Sequence, residues 1–471
     1  MLIILIFSCT NPDDAVKHDT VMNDVDVVPV IIIGGGASGL SVGIRLLELG
    51  ISPLLLEKEP ELGGAGIHAG RFFAVDSQLQ KDLNIIDSTE SALDEWENIT
   101  GSQPDSNIEA FIKNSAQTLE WIESFDIQFE SVQRDIGAGS IPRIHSLSPT
   151  SPHPLALWSE TLLPYSKVNQ TVQSIQYDET HFIVNTTTAS YKAEHLVVAT
   201  GGFARNNEIV LESLPEIEHH NWHMEAWPGM TGDSIDWLRM LNIPLQNMDN
   251  IGLYAHGVTD VYLNHPEVMV IPALERSIIL NQNGIRVFNE QYTQSLKGGQ
   301  MMLNEERLYA IFDAPLWQGT TFQGVGYNYP EPPLLSSTEF EDIGTVFKQN
   351  DLRDLALDLG MDGTTMTTTL SVYNDGILSE NDSLGKSVPN LTAIQTPPFY
   401  AVELQLSTGK SFGGAKVDHF GRTHIPNLYT IGESAGFLGS TASGWGFSGS
   451  ITACYYLGKQ TAEDIAVHYS R

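Results

Sequence analysis

Val25-Asp-Val-Val-Pro-Val-Ile-Ile-Ile33 runs directly into Gly34-Gly-Gly-Ala-Ser-Gly39, and the reading of this stretch decides the fold. The first part is apolar almost throughout and rich in β-branched residues, the pattern of a strand buried on both faces of a parallel sheet. An amphipathic helix from about Ser38 to Leu49 follows the glycines, with Gly50 as its stop and Pro53-Leu-Leu-Leu-Glu57 as the next strand. Strand, glycine loop, helix and strand make one βαβ unit. In such a unit Gly34 makes the tight turn, Gly36 lets the backbone approach a pyrophosphate, and Gly39 lets helix and strand pack closely. The pyrophosphate sits at the positive end of the helix. Glu57, about twenty residues further on, is placed to accept hydrogen bonds from an adenosine ribose.

Working outward, Gly63-Gly64-Ala65 lies just after that acid, where a flavin nucleotide runs on past the adenosine. Leu196-Val-Val-Ala199 reads as another buried strand, ending in Thr200-Gly-Gly202. Asn427-Leu-Tyr-Thr-Ile-Gly432-Glu433 reads as a strand whose final carboxylate can bind a ribityl hydroxyl. Ser91 to Phe125 reads as helical, Thr171 to Ser190 as an antiparallel meander, Thr345 to Tyr373 as helical and Pro330 to Pro333 as a loop. From about Met248 to Gly409 the periodicity changes and no dinucleotide motif occurs, which points to an inserted second domain. The expected division is 1–26 as a leader and tether, 27–248 and 410–471 as the two parts of the cofactor domain, and 249–409 as the insertion.

A length of 471 residues is too much for one core, and 41% hydrophobic content marks a globular chain. The formal net charge of -34 argues against nucleic acid and anionic membrane surfaces as partners. With only Cys9 and Cys454, no disulfide framework or metal cluster of cysteines is available, and Cys454 reads as a core residue. Cys9 ends an apolar run and precedes a polar segment, resembling a bacterial lipoprotein signal in which the cysteine is lipidated. That implies the periplasmic side of a membrane, reached only through the lipid anchor. A cytoplasmic chain with an apolar N-terminus is the alternative. His219-His220-Asn-Trp-His223 looks like a metal cluster by composition, but adjacent histidines point apart and no carboxylate supports them, so no metal is expected.

Taken together, these motifs resemble the fumarate reductase and succinate dehydrogenase flavoprotein family, in its soluble branch with ketosteroid dehydrogenases and urocanate reductases. The resemblance covers nearly everything from Val25 to His468. It is carried also by Gly232-Asp233, Asn281-Gln-Asn-Gly-Ile-Arg-Val-Phe-Asn-Glu290 and Ser411-Phe-Gly-Gly414. It implies an α/β fold, a Rossmann-type FAD-binding domain interrupted by an α+β capping domain, with substrate between flavin and cap. The implied cofactor contacts are Gly34, Gly36, Ala37, Ser38, Gly39, Glu57, Lys58, Gly63, Gly64, Ala65, Thr200, Gly201, Gly202, Asp233, Gly432, Glu433, Ser448 and Ile451. The histidine that carries covalent flavin in one branch has no match in register, since His68 is displaced, so FAD is expected to be noncovalent.

Fumarate-reducing members share a clamp of two arginines and two histidines around a dicarboxylate. Here the proton-delivering arginine is replaced by Gln294, and one histidine by Lys410. The other histidine becomes Tyr254, with His256 two residues on, and the last arginine falls near Ser443 or Trp445. Each charge-assisted contact to a desolvated carboxylate is worth a few kcal/mol, so fumarate and succinate are not expected as substrates. Phe437, Trp445, Phe447 and Tyr254 would line a larger, more aromatic pocket. The candidates for proton transfer are Tyr254, Lys410, Tyr292 and His256. Glu275-Arg276 matches part of a relay region or forms a structural ion pair, and Arg143-Ile-His145 lies over the flavin or in a surface loop. Three readings stay open: hydride transfer at a carbon–carbon bond beside a carbonyl, oxidation of a C–N or C–O bond, and a non-catalytic electron-transfer protein. In each, the electron donor or acceptor is unknown.

Overall fold

Strand β1 (Val27–Ile33) lies in the middle of a mostly parallel sheet. It pairs on one side with β2 (Pro53–Leu56) and on the other with the strand Ser190–Val198. The computed structural model describes residues 27–101, 103–134, 140–258, 269–293, 296–324, 333–437 and 450–469. Cys9, Gln294, Ser443, Trp445, Phe447 and Ser448 lie outside the described residues, as do 330–332 of the expected loop. Between β1 and β2, helix α1 (Ala37–Glu48) buries Leu40, Val42, Ile44 and Leu46 on the sheet and ends at Leu49-Gly50, where Gly50 takes φ +79°.

The long strand Ser190–Val198 organises the rest of this layer. Its first half pairs with Phe182–Thr186, which turns back to Val172–Tyr177, giving the expected meander. Its second half pairs in parallel with Leu428–Thr430 from near the other end of the chain. The final helix, Ser450–Tyr469, crosses α1 so closely that a Cβ at Gly458 would sit 1.9 Å from Ser41 Oγ. The helical stretch after Ser88 is two helices, Thr89–Thr100 and Ser106–Glu123. Gly101 in the left-handed region ends the first, and the Asp105 carboxylate caps the second by accepting from the N–H groups of Asn107 and Ile108.

A second hydrophobic core gathers around two further sheets. One runs in the order Trp222–Met224, Gln405–Ser411, Ile251–Val258, Met269–Val270, Thr321–Gly324, Leu334–Ser336. The other runs Ile278–Asn281, Leu308–Phe312, Phe399–Glu403, Val346–Gln349. Phe203, Ile209, Val210, Leu214, Ile217 and Ile235 also belong to this core. The structure corrects the helix expected over 345–373. Val346–Gln349 is a strand paired with Phe399–Glu403, and helices Leu352–Asp358 and Gly363–Leu378 follow, each started by an aspartate cap. Pairing with an existing edge overrides a weak local helical pattern. Among the described residues no helix is long and apolar enough to cross a membrane.

Arg143-Ile-His145 is neither a flavin-facing nor a surface loop, because it leads into the buried strand Ile144–Leu147. Arg143 forms ion pairs with Asp87, at 2.7 Å, and with Glu95. His145 is 0% exposed; its Nε2 lies 2.6 Å from Ser77 Oγ and its Nδ1 3.1 Å from the Arg143 carbonyl. Burial lowers its pKa to about 4 from the ordinary 6.5. Between those values the unfolded chain takes up a proton that the folded chain refuses, so the stability present above pH 6.5 is lost as pH falls to about 4. The wild type is expected to lose about 3 kcal/mol more than His145→Gln over that window in urea unfolding. Parallel pH curves for the two proteins would reject this assignment.

Candidate active site

The first turn of α1 has no partner for its N–H groups within its own sequence. Gly36 stands at the N-cap in extended conformation with no side-chain cap, and the first turn carries no acid. Four N–H groups and the positive end of the helix dipole therefore face outward, the arrangement that binds a phosphate. They open on a cavity of about 470 Å³ that is bordered by Gly34, Gly36, Ala37 and Ser38. Gly39 does not border it. A Cβ there would lie 1.8 Å from the Gly34 carbonyl oxygen, so its role is to let the helix close on the loop. Gly34, at φ +106°, turns the chain so sharply that a Cβ would meet the Ala199 carbonyl at 2.3 Å.

Glu57 stands at the end of β2 with its carboxylate accepting from the Gly35 N–H at 2.6 Å and the Glu59 N–H at 2.8 Å. Burial raises its pKa against those two donors. Two lone-pair sites remain for ribose hydroxyls. Gly64 and Ala65 line the cavity, while Gly63, at φ +122°, sits behind them. Thr200 and Gly201 line the opposite wall. Gly202 is packed between Ser411 and Glu433, where a Cβ would meet Ser411 Oγ at 2.2 Å and Glu433 Oε2 at 2.9 Å. Gly432, Glu433 and Ile451 complete the wall, and Gly432 approaches α1 so closely that a Cβ would sit 2.3 Å from Ser38 Oγ. Cys454, expected as a core residue, borders the cavity as well.

Lys58 borders the cavity, but its ammonium is turned toward Asp233 and the loop before it. The Lys58 ammonium donates to the Gly229 carbonyl at 2.9 Å, Thr231 Oγ1 at 2.6 Å and Asp233 Oδ2 at 2.8 Å. An ammonium has three protons, and all three are committed inside the protein. Asp233 does not line the cavity. The pair instead fastens the loop of Trp227, Gly229 and Met230, which does. Trp227 went unremarked in the sequence, its one signal being its place just before Gly232-Asp233. It packs on His68 with ring centroids 5.6 Å apart.

Of the proton-transfer candidates, Lys410 alone is on the cavity wall among the described residues. Tyr254 lies behind it, on the neighbouring strand, with its ring against Gly409 and a side-chain hydrogen bond to Lys410. Burial raises the Tyr254 pKa and Lys410 opposes the rise. Glu433, half-buried on the cavity wall, is pushed up to about 7 by desolvation, again opposed by Lys410. His256 stacks on Tyr254 at 5.2 Å and 13°, and its Nε2 lies 2.8 Å from Glu225 Oε2. Tyr292 sits in a short 3-10 turn, Glu290–Tyr292, away from the cavity wall. Phe437 is buried and does not border the cavity. No ion pair joins Glu275 to Arg276 among the described residues, so that alternative is set aside. His220 Nε2 meets the Leu303 carbonyl at 3.1 Å and His223 meets Gln405. Among the described residues no group of three or more histidines, cysteines and acids could hold a metal.

Phosphate cradle, ribose acid and second strand-end carboxylate around one cavity define a dinucleotide-binding flavoprotein. Comparison with known families matches residues 29–449 to the FAD binding domain, and the chain belongs to that family. It is 26% identical to a fumarate reductase (cytochrome) of Shewanella frigidimarina over 87% of this chain and 72% of that one. It is 23% identical to the vinyl phenol reductase of Lactiplantibacillus plantarum over 96% and 97%, and 23% identical to the urocanate reductase of Eggerthella lenta over 94% and 75%. Among solved structures, the 3-ketosteroid-delta4-(5alpha)-dehydrogenase of Rhodococcus jostii superposes with a TM-score of 0.73 at 20% identity, covering 95% and 99%. The chain is an FAD-dependent oxidoreductase of the fumarate reductase family.

The cofactor fits the residues present: the uncapped helix end would hold the pyrophosphate and Glu57 the ribose. Replacing Lys58 by Met should weaken FAD binding about 10- to 100-fold, the worth of lost charge-assisted hydrogen bonds transmitted through the loop. Reconstitution of apoprotein followed by flavin fluorescence would measure it, and an unchanged Kd would show that the loop holds without its lysine.

Proposed function

We propose that this enzyme transfers a hydride between flavin and a carbon–carbon bond adjacent to a carbonyl, on a substrate larger and less charged than fumarate. The observation that carries the reading is the composition of the wall. Among the described residues no arginine borders the cavity, and its cation beside Glu433 is Lys410, hydrogen-bonded to Tyr254. A dicarboxylate needs two cationic forks, whereas a carbonyl needs one donor. Relatives whose names specify vinyl phenol and urocanate support an unsaturated substrate of this kind.

Bound flavin supplies the hydride or takes it up. The chain's part is to hold the substrate against it and to manage one proton. An ammonium can only donate, so the Tyr254 oxygen accepts from Lys410, and once Lys410 has given a proton to the substrate its neutral amine takes the Tyr254 proton. The nearby cation favours the phenolate left when that proton moves. Lys410, on the wall, also polarises a substrate carbonyl, which makes the adjacent carbon–carbon bond a better hydride acceptor. Tyr254 stands behind Lys410, so the two work as one acid.

FAD is held without a covalent bond in this proposal, since His68 packs on Trp227 at the cavity rim. Acid precipitation should therefore leave all the flavin in the supernatant, and yellow protein in the pellet would refute it. For the reaction, flavin reduced anaerobically should be reoxidised by 3-ketosteroid enones or cinnamate and only slowly by fumarate. Lys410→Met should slow that reoxidation about 10²- to 10⁴-fold. Fast reoxidation by fumarate would overturn the account of the substrate.

A further inference from the structure

Behind Lys410 and Tyr254 the sheet carries two more ionisable side chains in a row. Tyr254 and His256 lie on the strand Ile251–Val258, Lys410 on its neighbour Gln405–Ser411, and Glu225 just after Trp222–Met224, which pairs with the far side of Gln405–Ser411. The His256 ring stacks on the Tyr254 ring, centroids 5.2 Å apart and nearly parallel at 13°. Its Nε2 meets the Glu225 carboxylate at 2.8 Å, with the two side chains only 7% and 14% exposed. The Glu433 charge also acts on Tyr254, and His223, on the strand that leads to Glu225, is bonded to Gln405.

We infer that Glu225 and His256 form a buried charged pair that sets the acidity of the Lys410–Tyr254 acid through the stacked rings. This rests on the function proposed above. Two nearly parallel rings at that spacing are not aligned for a hydrogen bond, so no proton crosses the stack. The coupling is electrostatic. An imidazolium lying on the phenol ring favours the phenolate, and the Glu225 carboxylate behind it keeps the imidazole protonated. His256 and Glu225 are thus positioning residues, tuning a proton that neither touches.

The sign of each change follows. His256→Gln removes the cation and leaves the Glu225 carboxylate uncompensated, which disfavours loss of a proton from Tyr254 or Lys410. The basic limb of the pH profile for reoxidation by a 3-ketosteroid enone or cinnamate should move up by about one unit. The rate should fall about tenfold at neutral pH. His256→Gln combined with Glu225→Gln removes the uncompensated anion as well, so most of the shift should return. A merely structural role predicts that the double variant is worse than the single one. An unmoved limb, or a double variant without recovery, would overturn the inference.

A second measurement needs no substrate. The reduction potential of the bound flavin against pH should break where the Lys410–Tyr254 pair ionises. That break should rise in His256→Gln and fall back in the double variant. If no alkene reoxidises the flavin, the proposed function fails while this titration still decides the inference. A break that is absent, or the same in all three proteins, rejects it.

Discussion

The first turn of α1 has free N–H groups and nothing in its own sequence to cap them. A buried helix end left unpaired is costly, so the surrounding chain is arranged to present it to an anion while sealing everything else. Gly34 bends away beneath Ala199, Gly39 folds the helix down onto the loop, and Gly432 approaches Ser38 from above. Thr200 and Ser434 hold their two loops together beside the cavity, hydroxyl to hydroxyl at 3.2 Å. What results is a cradle built from backbone, with few charged side chains and the cofactor as its missing cap.

The strand Gln405–Ser411 connects that cradle to the second core. Its first residues pair with Trp222–Met224 and Ile251–Val258 in the second sheet, and its last, Ser411, accepts from the Phe203 N–H beside the cofactor wall. Lys410 is carried just before that junction. Its position is fixed by both cores at once, which would suit the proton-managing role proposed for it between flavin and substrate.

The βαβ unit was legible because its signals are local: a buried strand, glycines at fixed spacing and an acid at the strand end all lie within one short stretch. Several expected cofactor contacts, such as Gly34, Gly36, Glu57, Gly64, Thr200 and Glu433, do border one cavity, because each follows directly on a strand or glycine turn that the local pattern marks. Lys58 borders the cavity, yet its three acceptors lie on a loop far away in sequence, so no spacing rule could reveal that it also fastens Gly229–Asp233. His145 was misplaced because its burial depends on strands Arg71–Phe73 and Phe129–Gln133 closing over it. Val346–Gln349 read as helix because the edge it joins comes from Phe399–Glu403. In the acid–base row, Tyr254 and Lys410 were visible one by one, but Glu225 was not, since only sheet pairing brings Trp222–Met224 beside Gln405–Ser411.

The helix Ser450–Tyr469 packs along α1, with Gly458 against Ser41, and the Ser41 hydroxyl donates to the Cys454 carbonyl at 3.3 Å. Gly432, Glu433, Ile451 and Cys454 of the cofactor wall therefore emerge from the ribosome long after the opening βαβ unit. The opening βαβ unit can form early in synthesis, but until Gly432, Glu433, Ile451 and Cys454 emerge it offers an anion site open to water on one face. Closing the site around the flavin therefore waits for these late-emerging residues. A truncated product keeps the glycine signature and still lacks the means to retain the cofactor.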